Sequence, residues 1–170
     1  MTRRACLAVL GSTLGLLPMR LIGAPEDPGK AIMGTVTVTV YFATDGDAAA
    51  AGAKAALLGK ALETRLRSEA KLRFKHYRLL GEDTQPLFRS YENWAQPLKP
   101  SDEVLVRFEL RSRPTRLATR LDLELWLSRK KILKTDVLLE GDRPLLVLGP
   151  EWRGGRLIIA VSLAAEKFPG

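Results

Sequence analysis

Thr35-Val-Thr-Val-Thr-Val-Tyr-Phe42 alternates apolar with hydroxyl-bearing side chains, and most of its residues are β-branched. Strict alternation of this kind is typical of a strand with one buried face. The three valines and Phe42 would share that face, because every second side chain of a strand points the same way. The pattern therefore predicts a core strand early in the chain.

A helical composition follows this strand. From residue 48 to residue 70 the chain is rich in Ala, Leu, Lys, Glu and Arg, which are strong helix formers. A leucine stripe recurs every four residues, at Leu58, Leu62 and Leu66. Gly52 and Gly59 weaken a helix here by about 1 kcal/mol each. We nevertheless predict one long helix whose leucine stripe packs on a sheet.

The remaining segments have the pattern of strands joined by tight turns. Apolar or alternating runs cover residues 72–80, 104–110, 117–127, 132–139, 145–148 and 157–164. The first of these runs is expected to end at Gly81-Glu-Asp83. The predicted fold class is α+β: an antiparallel β meander with one long N-terminal helix, in a strand–helix–strand unit, packed on it.

The first 24 residues have the pattern of a signal peptide. Arg3 and Arg4 precede an apolar stretch at residues 5–18 that is too short to span a membrane. The paired arginines also resemble a twin-arginine export signal. We therefore predict a signal peptide at 1–24, a linker at 25–33 and a single α+β domain at 34–170.

Export would place the mature protein in the periplasm or outside the cell. Two alternatives stay open on the sequence alone. The first segment could be an uncleaved anchor, or Met19 or Met33 could be the true first residue. A start at Met33 would make the protein cytoplasmic.

Composition limits the chemistry available to the chain. Its 170 residues are 46% hydrophobic and 27% charged, with a formal net charge of +8, which excludes wholesale disorder. The single cysteine, Cys6, lies in the predicted signal peptide, so a mature chain has no disulfide and no thiol nucleophile. His76 is the single histidine, too few for a typical zinc site. We predict no catalytic, cofactor-binding or metal-binding residues.

The densest charge cluster runs from the end of the predicted helix into the next strand. Its members are Arg65, Arg67, Lys71, Arg73, Lys75, His76 and Arg78. On a strand, Arg73, Lys75 and Tyr77 would share one face, a plausible contact for an acidic partner. The alternative interpretation is a solvated face that protects a strand edge from aggregation. The candidate aromatic contacts are Tyr77, Trp94 and Trp152.

Three short motifs carry a family resemblance: Ala43-Thr-Asp45, Phe74-Lys-His-Tyr-Arg-Leu-Leu80 and Leu148-Gly-Pro150. In their order along the chain they resemble uncharacterised exported bacterial proteins of α+β fold. The resemblance covers most of the mature chain and implies a fold and a compartment. It implies no activity, ligand or catalytic residue.

Three functional hypotheses follow. The first is an exported, non-enzymatic binding or assembly module of the cell envelope, which docks an unknown protein or an acidic envelope component through a sheet edge or the basic surface. The second is a cytoplasmic nucleic-acid-binding domain, which requires the signal peptide to be spurious. If the signal peptide is genuine, nucleic acid is not expected as a partner. The third is a carboxylate-based hydrolase, with Asp45, Asp47, Glu82 and Asp83 as its candidate acids.

Overall fold

The computed structural model describes residues 26–115, 117–141 and 143–164, so the predicted signal peptide at 1–24 lies outside the described residues. Of the described residues, 57% lie in strands and 14% in helical segments. The strands are β1 (Ile32–Thr44), β2 (Ala56–Leu57), β3 (His76–Phe88), β4 (Asn93–Ala95), β5 (Val104–Ser112), β6 (Ala118–Leu127), β7 (Lys130–Glu140), β8 (Leu145–Trp152) and β9 (Gly155–Ala164). The helical segments are α1 (Lys60–Ser68) and three 3-10 helices, Pro28–Lys30, Ala48–Ala51 and Ala70–Leu72.

The strands form two antiparallel sheets that pack face to face as a sandwich. Sheet A has the order β2-β3-β1-β9-β8, and sheet B has the order β4-β5-β6-β7. Alternate side chains of both sheets meet between them, as the alternation in β1 predicts. The fully buried members of this core are Val36, Val38, Val40, Leu87, Ala95, Val104, Phe108, Leu121, Leu157 and Val161.

A second, smaller apolar cluster lies on the outer face of sheet A. Leu66 of α1 is completely buried against it, and Leu62 packs beside Leu66. The sheet contributes Tyr41, Ala43, Tyr77, Ile158 and Ala160. The leucine stripe therefore does hold a helix on a sheet face, but over only two turns.

The predicted α+β class with one long N-terminal helix is wrong: the fold is mostly antiparallel β, with one α-helix of nine residues. Both glycines break the predicted helix. Gly52, at φ 95°, ends the 3-10 helix Ala48–Ala51, and Gly59 is the N-cap of α1. Between them Ala56–Leu57 pairs with β3 as a short edge strand. Two unfavourable glycines outweigh the helix propensity of the intervening residues.

The strand predicted at residues 72–80 is shifted. Residues 70–72 form a 3-10 helix, and β3 begins at His76 and runs through the expected turn at Gly81-Glu-Asp83 to Phe88. A bulge where Val40 pairs with Gly81 and Tyr41 with Leu79 absorbs one residue. The glycine inside this strand has a packing role, because the backbone of Pro97 passes close to it: a Cβ at Gly81 would lie 2.1 Å from the Pro97 carbonyl oxygen.

The described part of the predicted linker is held against the sandwich. The Tyr91 hydroxyl donates to the Asp27 carboxylate at 2.6 Å, and the Tyr91 ring lies where a Gly29 Cβ would be. The hydrogen bond from Tyr91 is the largest contribution that lowers the pKa of Asp27. Backbone bonds from Arg89 to Ala31 and from Ser90 to Gly29 complete this attachment.

Candidate docking site at the edge of sheet A

The predicted basic surface follows the end of α1 into β3. Arg65 and Arg67 lie in the last turn of the helix, where positive charge is favourable to the helix dipole. Lys71 is in the 3-10 helix Ala70–Leu72, while His76 and Arg78 begin β3. The structure therefore brings all seven predicted residues into one region, on three elements and the loop between them.

Three of these side chains donate hydrogen bonds to backbone carbonyls, and those of Arg67 and Arg73 connect the end of α1 to the segment that follows it. Arg67 forms an ion pair with Glu63 and donates to the carbonyl of Lys75 at 2.6 Å, and its guanidinium lies 5.7 Å from the centre of the Tyr77 ring. Arg73 donates to the Arg67 carbonyl at 3.1 Å. Arg78 donates to the Tyr77 carbonyl at 2.8 Å. Their first role is structural.

The other basic side chains of the cluster face solvent. Arg65, Lys71, Lys75 and His76 are exposed. None of the four forms an ion pair with any residue in the described part of the chain. The charges of Arg65, Lys71 and Lys75 are therefore available to a partner, at a modest cost in desolvation.

A groove lies beside Arg65 and Lys71. Its volume is about 570 Å3, within the range of ligand-binding clefts. One wall comes from the end of α1 and the following 3-10 helix, and the other from β8. The lining residues are Arg65, Glu69, Ala70, Lys71, Leu72, Pro144, Leu145, Leu146 and Leu148. We call this the edge groove.

The β8 wall of the edge groove is a sheet edge. β8 is the last strand of sheet A and pairs only with β9 among the described strands. Its residues 145–148 are Leu-Leu-Val-Leu, a half-buried run without a charge. Leu146 and Leu148 face the α1 side, and Leu145 and Val147 face the sandwich core. The outer backbone groups of such a strand are a template for an added strand.

The three predicted aromatic contacts occupy different environments. Tyr77 is 2% exposed, and its hydroxyl donates to the Leu72 carbonyl at 2.7 Å and accepts from the Phe74 N–H, so this ring belongs to the core. Trp152 is half-buried: it packs on Phe42, and its Nε1 donates to Glu103 at 2.8 Å. Trp94 is 37% exposed and lies on β4, in the other sheet.

Trp94 borders a charged surface on the outer face of sheet B. Arg107 sits among four carboxylates, those of Glu92, Glu109, Asp122 and Glu124. Burial raises the pKa of Glu124, but hydrogen bonds from Lys131, Trp126 and Lys134 outweigh it and the pKa is lowered. Opposite charges are paired across this face, which makes it a self-compensated surface.

The acids proposed for a hydrolase are not brought together. Asp45 follows the end of β1 and accepts from the Lys75 N–H, whereas Asp47 caps the 3-10 helix Ala48–Ala51. Glu82 pairs with Thr39, six residues back along β1 from Asp45, which is roughly 20 Å at about 3.3 Å per residue. Asp83 points to the opposite sheet face and bonds Lys99. Each carboxylate supports local structure.

Within the described part of the chain, no group of three or more His, Cys, Asp or Glu side chains could hold a metal ion. The described helices include none that is long and apolar enough to cross a membrane.

Sequence reasoning identified the basic residues of the edge groove but not the groove itself. Residues 145–148 were recognised as a strand, yet nothing in their pattern shows that the strand lies at an edge. Glu69, Ala70 and Pro144 were not singled out. An uncharged run of four residues is more typical of a covered strand than of an edge, so the sequence carried no signal for the position of this strand.

Comparison of the chain with protein-family models, with curated proteins and with solved structures finds no match.

Proposed function

We propose that the protein is a non-enzymatic binding module of the bacterial cell envelope, which docks a macromolecular partner through the edge groove. The observation that carries this proposal is the meeting of two features at one place. The uncharged part of an edge strand, residues 145–148, and two exposed cations, Arg65 and Lys71, line the same groove.

The two features supply complementary parts of recognition. The β8 edge offers backbone hydrogen bonds and apolar contacts, which give affinity. Arg65 and Lys71 offer long-range attraction, which selects acidic partners and speeds encounter. The separation of the candidate hydrolase acids, each in a structural contact, further favours binding over catalysis.

Export is part of the proposal and depends on residues 1–24, where Arg3 and Arg4 precede an apolar stretch. A periplasmic partner would meet the protein without competition from nucleic acid. The basic surface would otherwise attract nucleic acid by charge alone.

Photocrosslinking from a single position in the groove tests the proposal. Ala70 is exposed and lines the groove, so a benzoylphenylalanine placed there should tolerate folding and face the partner. In cells of the native host we expect one discrete protein adduct from Ala70 and none from Ser112, an exposed position on sheet B. The adduct should be lost when Arg65→Glu and Lys71→Glu are combined.

The matched control for charge is the pair Lys30→Glu and Arg89→Glu, two exposed cations remote from the groove, and it should leave the adduct unchanged. Equal adducts from Ala70 and Ser112, or an adduct that nuclease removes, would contradict docking of a protein through the edge groove.

A further inference from the structure

From the geometry of the edge groove we infer the chemistry of its occupant: an extended acidic segment of another protein that adds to β8 as a strand. This inference rests on the proposed function and deepens it. The apolar side chains of the acidic segment would lie over Leu146 and Leu148, and the carboxylates of the segment would meet Arg65 and Lys71.

The length and sequence of the free edge favour a strand as occupant. Pro144 precedes the uncharged run at residues 145–148, and the pairing of β8 with β9 is interrupted between Leu148 and Glu151. A partner strand can therefore pair over about four residues, a typical short strand contact. Leu146 and Leu148 point to the α1 side of the sheet, so alternate partner residues would face them.

The charges of the groove favour acidic side chains at the other contacts. Arg65 and Lys71 are exposed and without ion pairs among the described residues, and Glu69 is the one carboxylate among the described residues of the lining. An acidic residue beside Arg65 or Lys71 gains attraction, whereas a basic one is repelled.

The same charges disfavour a second copy of this chain. Antiparallel pairing of β8 with itself places a two-fold axis perpendicular to the joined sheet. Both copies would then present Arg65 and Lys71 on the same face beside the junction, and like charges would face one another.

Binding of defined peptides to the full chain tests the inference. The probe is a fluorescein-labelled peptide of about eight residues. Its odd positions, which share one strand face, are Glu, Val, Val and Glu, and its even positions are threonine, so that valines and glutamates both face the α1 side. We call it the valine–glutamate peptide. The first control replaces glutamate with lysine, and the second keeps the sequence but carries N-methyl groups along the backbone. By fluorescence anisotropy we expect the valine–glutamate peptide to bind, and both controls to bind at least about tenfold more weakly.

The charge variants separate the parts of the inference. Combining Arg65→Glu with Lys71→Glu should weaken binding of the valine–glutamate peptide at least about tenfold. Combining Lys30→Glu with Arg89→Glu should leave its binding unchanged. Equal binding of the N-methylated peptide would overturn strand addition, and equal binding of the lysine peptide would overturn acidic selection. A crosslink from Ala70 without binding of any peptide would overturn the inference and leave the proposed function standing. Dimerisation of the chain through β8 would overturn the inference in favour of a second copy.

Discussion

Asp83 shows how a single residue can look catalytic in sequence and be structural in the fold. It is 9% exposed, and it accepts from the Gln96 N–H at 2.7 Å and from Lys99 at 2.7 Å. Gln85 also donates to it. Gln96 and Lys99 belong to the connection between β4 and β5, so their contacts with Asp83 tie β3 of sheet A to sheet B, and the charge of Asp83 serves to close one side of the sandwich.

Asp83→Asn should therefore lower the free energy of unfolding by about 1–3 kcal/mol at neutral pH, because it leaves partners of a buried carboxylate poorly satisfied. Urea denaturation measures this change. Asp102→Asn is the matched control, since Asp102 pairs with Arg129 at 3.3 Å on the open surface. It should change stability by less than about 0.5 kcal/mol. Equal losses in the two variants would refute the role given to Asp83.

The effect of Asp83→Asn should also depend on pH. Burial raises the pKa of Asp83, but hydrogen bonds from Gln96, Lys99 and Gln85 outweigh it, so the folded pKa is lowered. Because the pKa of Asp83 is lower in the folded protein, its carboxylate stabilises the folded state at pH values above its pKa in the unfolded chain, about 3.9. This stabilisation is lost as the pH falls through the pKa of the folded state. The difference in the free energy of unfolding between wild type and Asp83→Asn should therefore shrink below about pH 4. A difference that is constant with pH would show that the charge is irrelevant.

Gly81 is a second residue whose role only the structure reveals. Gly81→Ala would place a Cβ 2.1 Å from the carbonyl oxygen of Pro97, so one backbone must move. We expect a loss of about 1–3 kcal/mol in thermal or urea unfolding. At Gly46 the nearest atom to an added Cβ is 3.5 Å away, so Gly46→Ala should be nearly neutral. A neutral Gly81→Ala would contradict the close approach.

At the scale of elements, the strands were predictable where their side chains alternate. β1, β5 and β6 each have one face in the core and one outside, and their positions follow from that alternation. The length of α1 was overestimated because the helix propensity of the intervening residues was given more weight than the two glycines, Gly52 and Gly59. Edge position was not predictable, because it depends on which strands pair across the chain, as β1 does with β3 and β9.

α1 is held mainly by Leu66, which is completely buried. Leu66→Ala should therefore cost about 2–5 kcal/mol and speed amide exchange throughout α1, because a nine-residue helix is unstable without its apolar contact. Leu57→Ala is the control: Leu57 is 77% exposed, so its replacement should change the free energy of unfolding by less than about 0.5 kcal/mol. An intact α1 in the Leu66 variant would mean that other contacts hold it.

For the whole molecule, the candidate site was half predictable. The basic residues are close in sequence, so their clustering on one region follows from the chain itself. The β8 wall comes from about 80 residues later, and only the sandwich topology brings it beside Lys71. A single-sheet meander, as predicted, does not specify which edge would receive the helix.

The compartment is a prediction for the whole molecule. We expect the protein from fractionated host cells to begin near Pro25 and to be found in the envelope. Intact-mass and N-terminal analysis measures this. A chain that began at Met33 would lack Asp27 and Gly29, which contact Tyr91, and would be less stable. Cytoplasmic protein starting at Met33 would overturn export.

Amide hydrogen exchange of the full chain, with and without the valine–glutamate peptide, tests the central claim most directly. Docking on the edge groove predicts slower exchange within residues 145–148 of β8 when the peptide is bound, and no such change with the N-methylated peptide. Peptide binding that left exchange along β8 unchanged, with protection at another surface, would contradict the account.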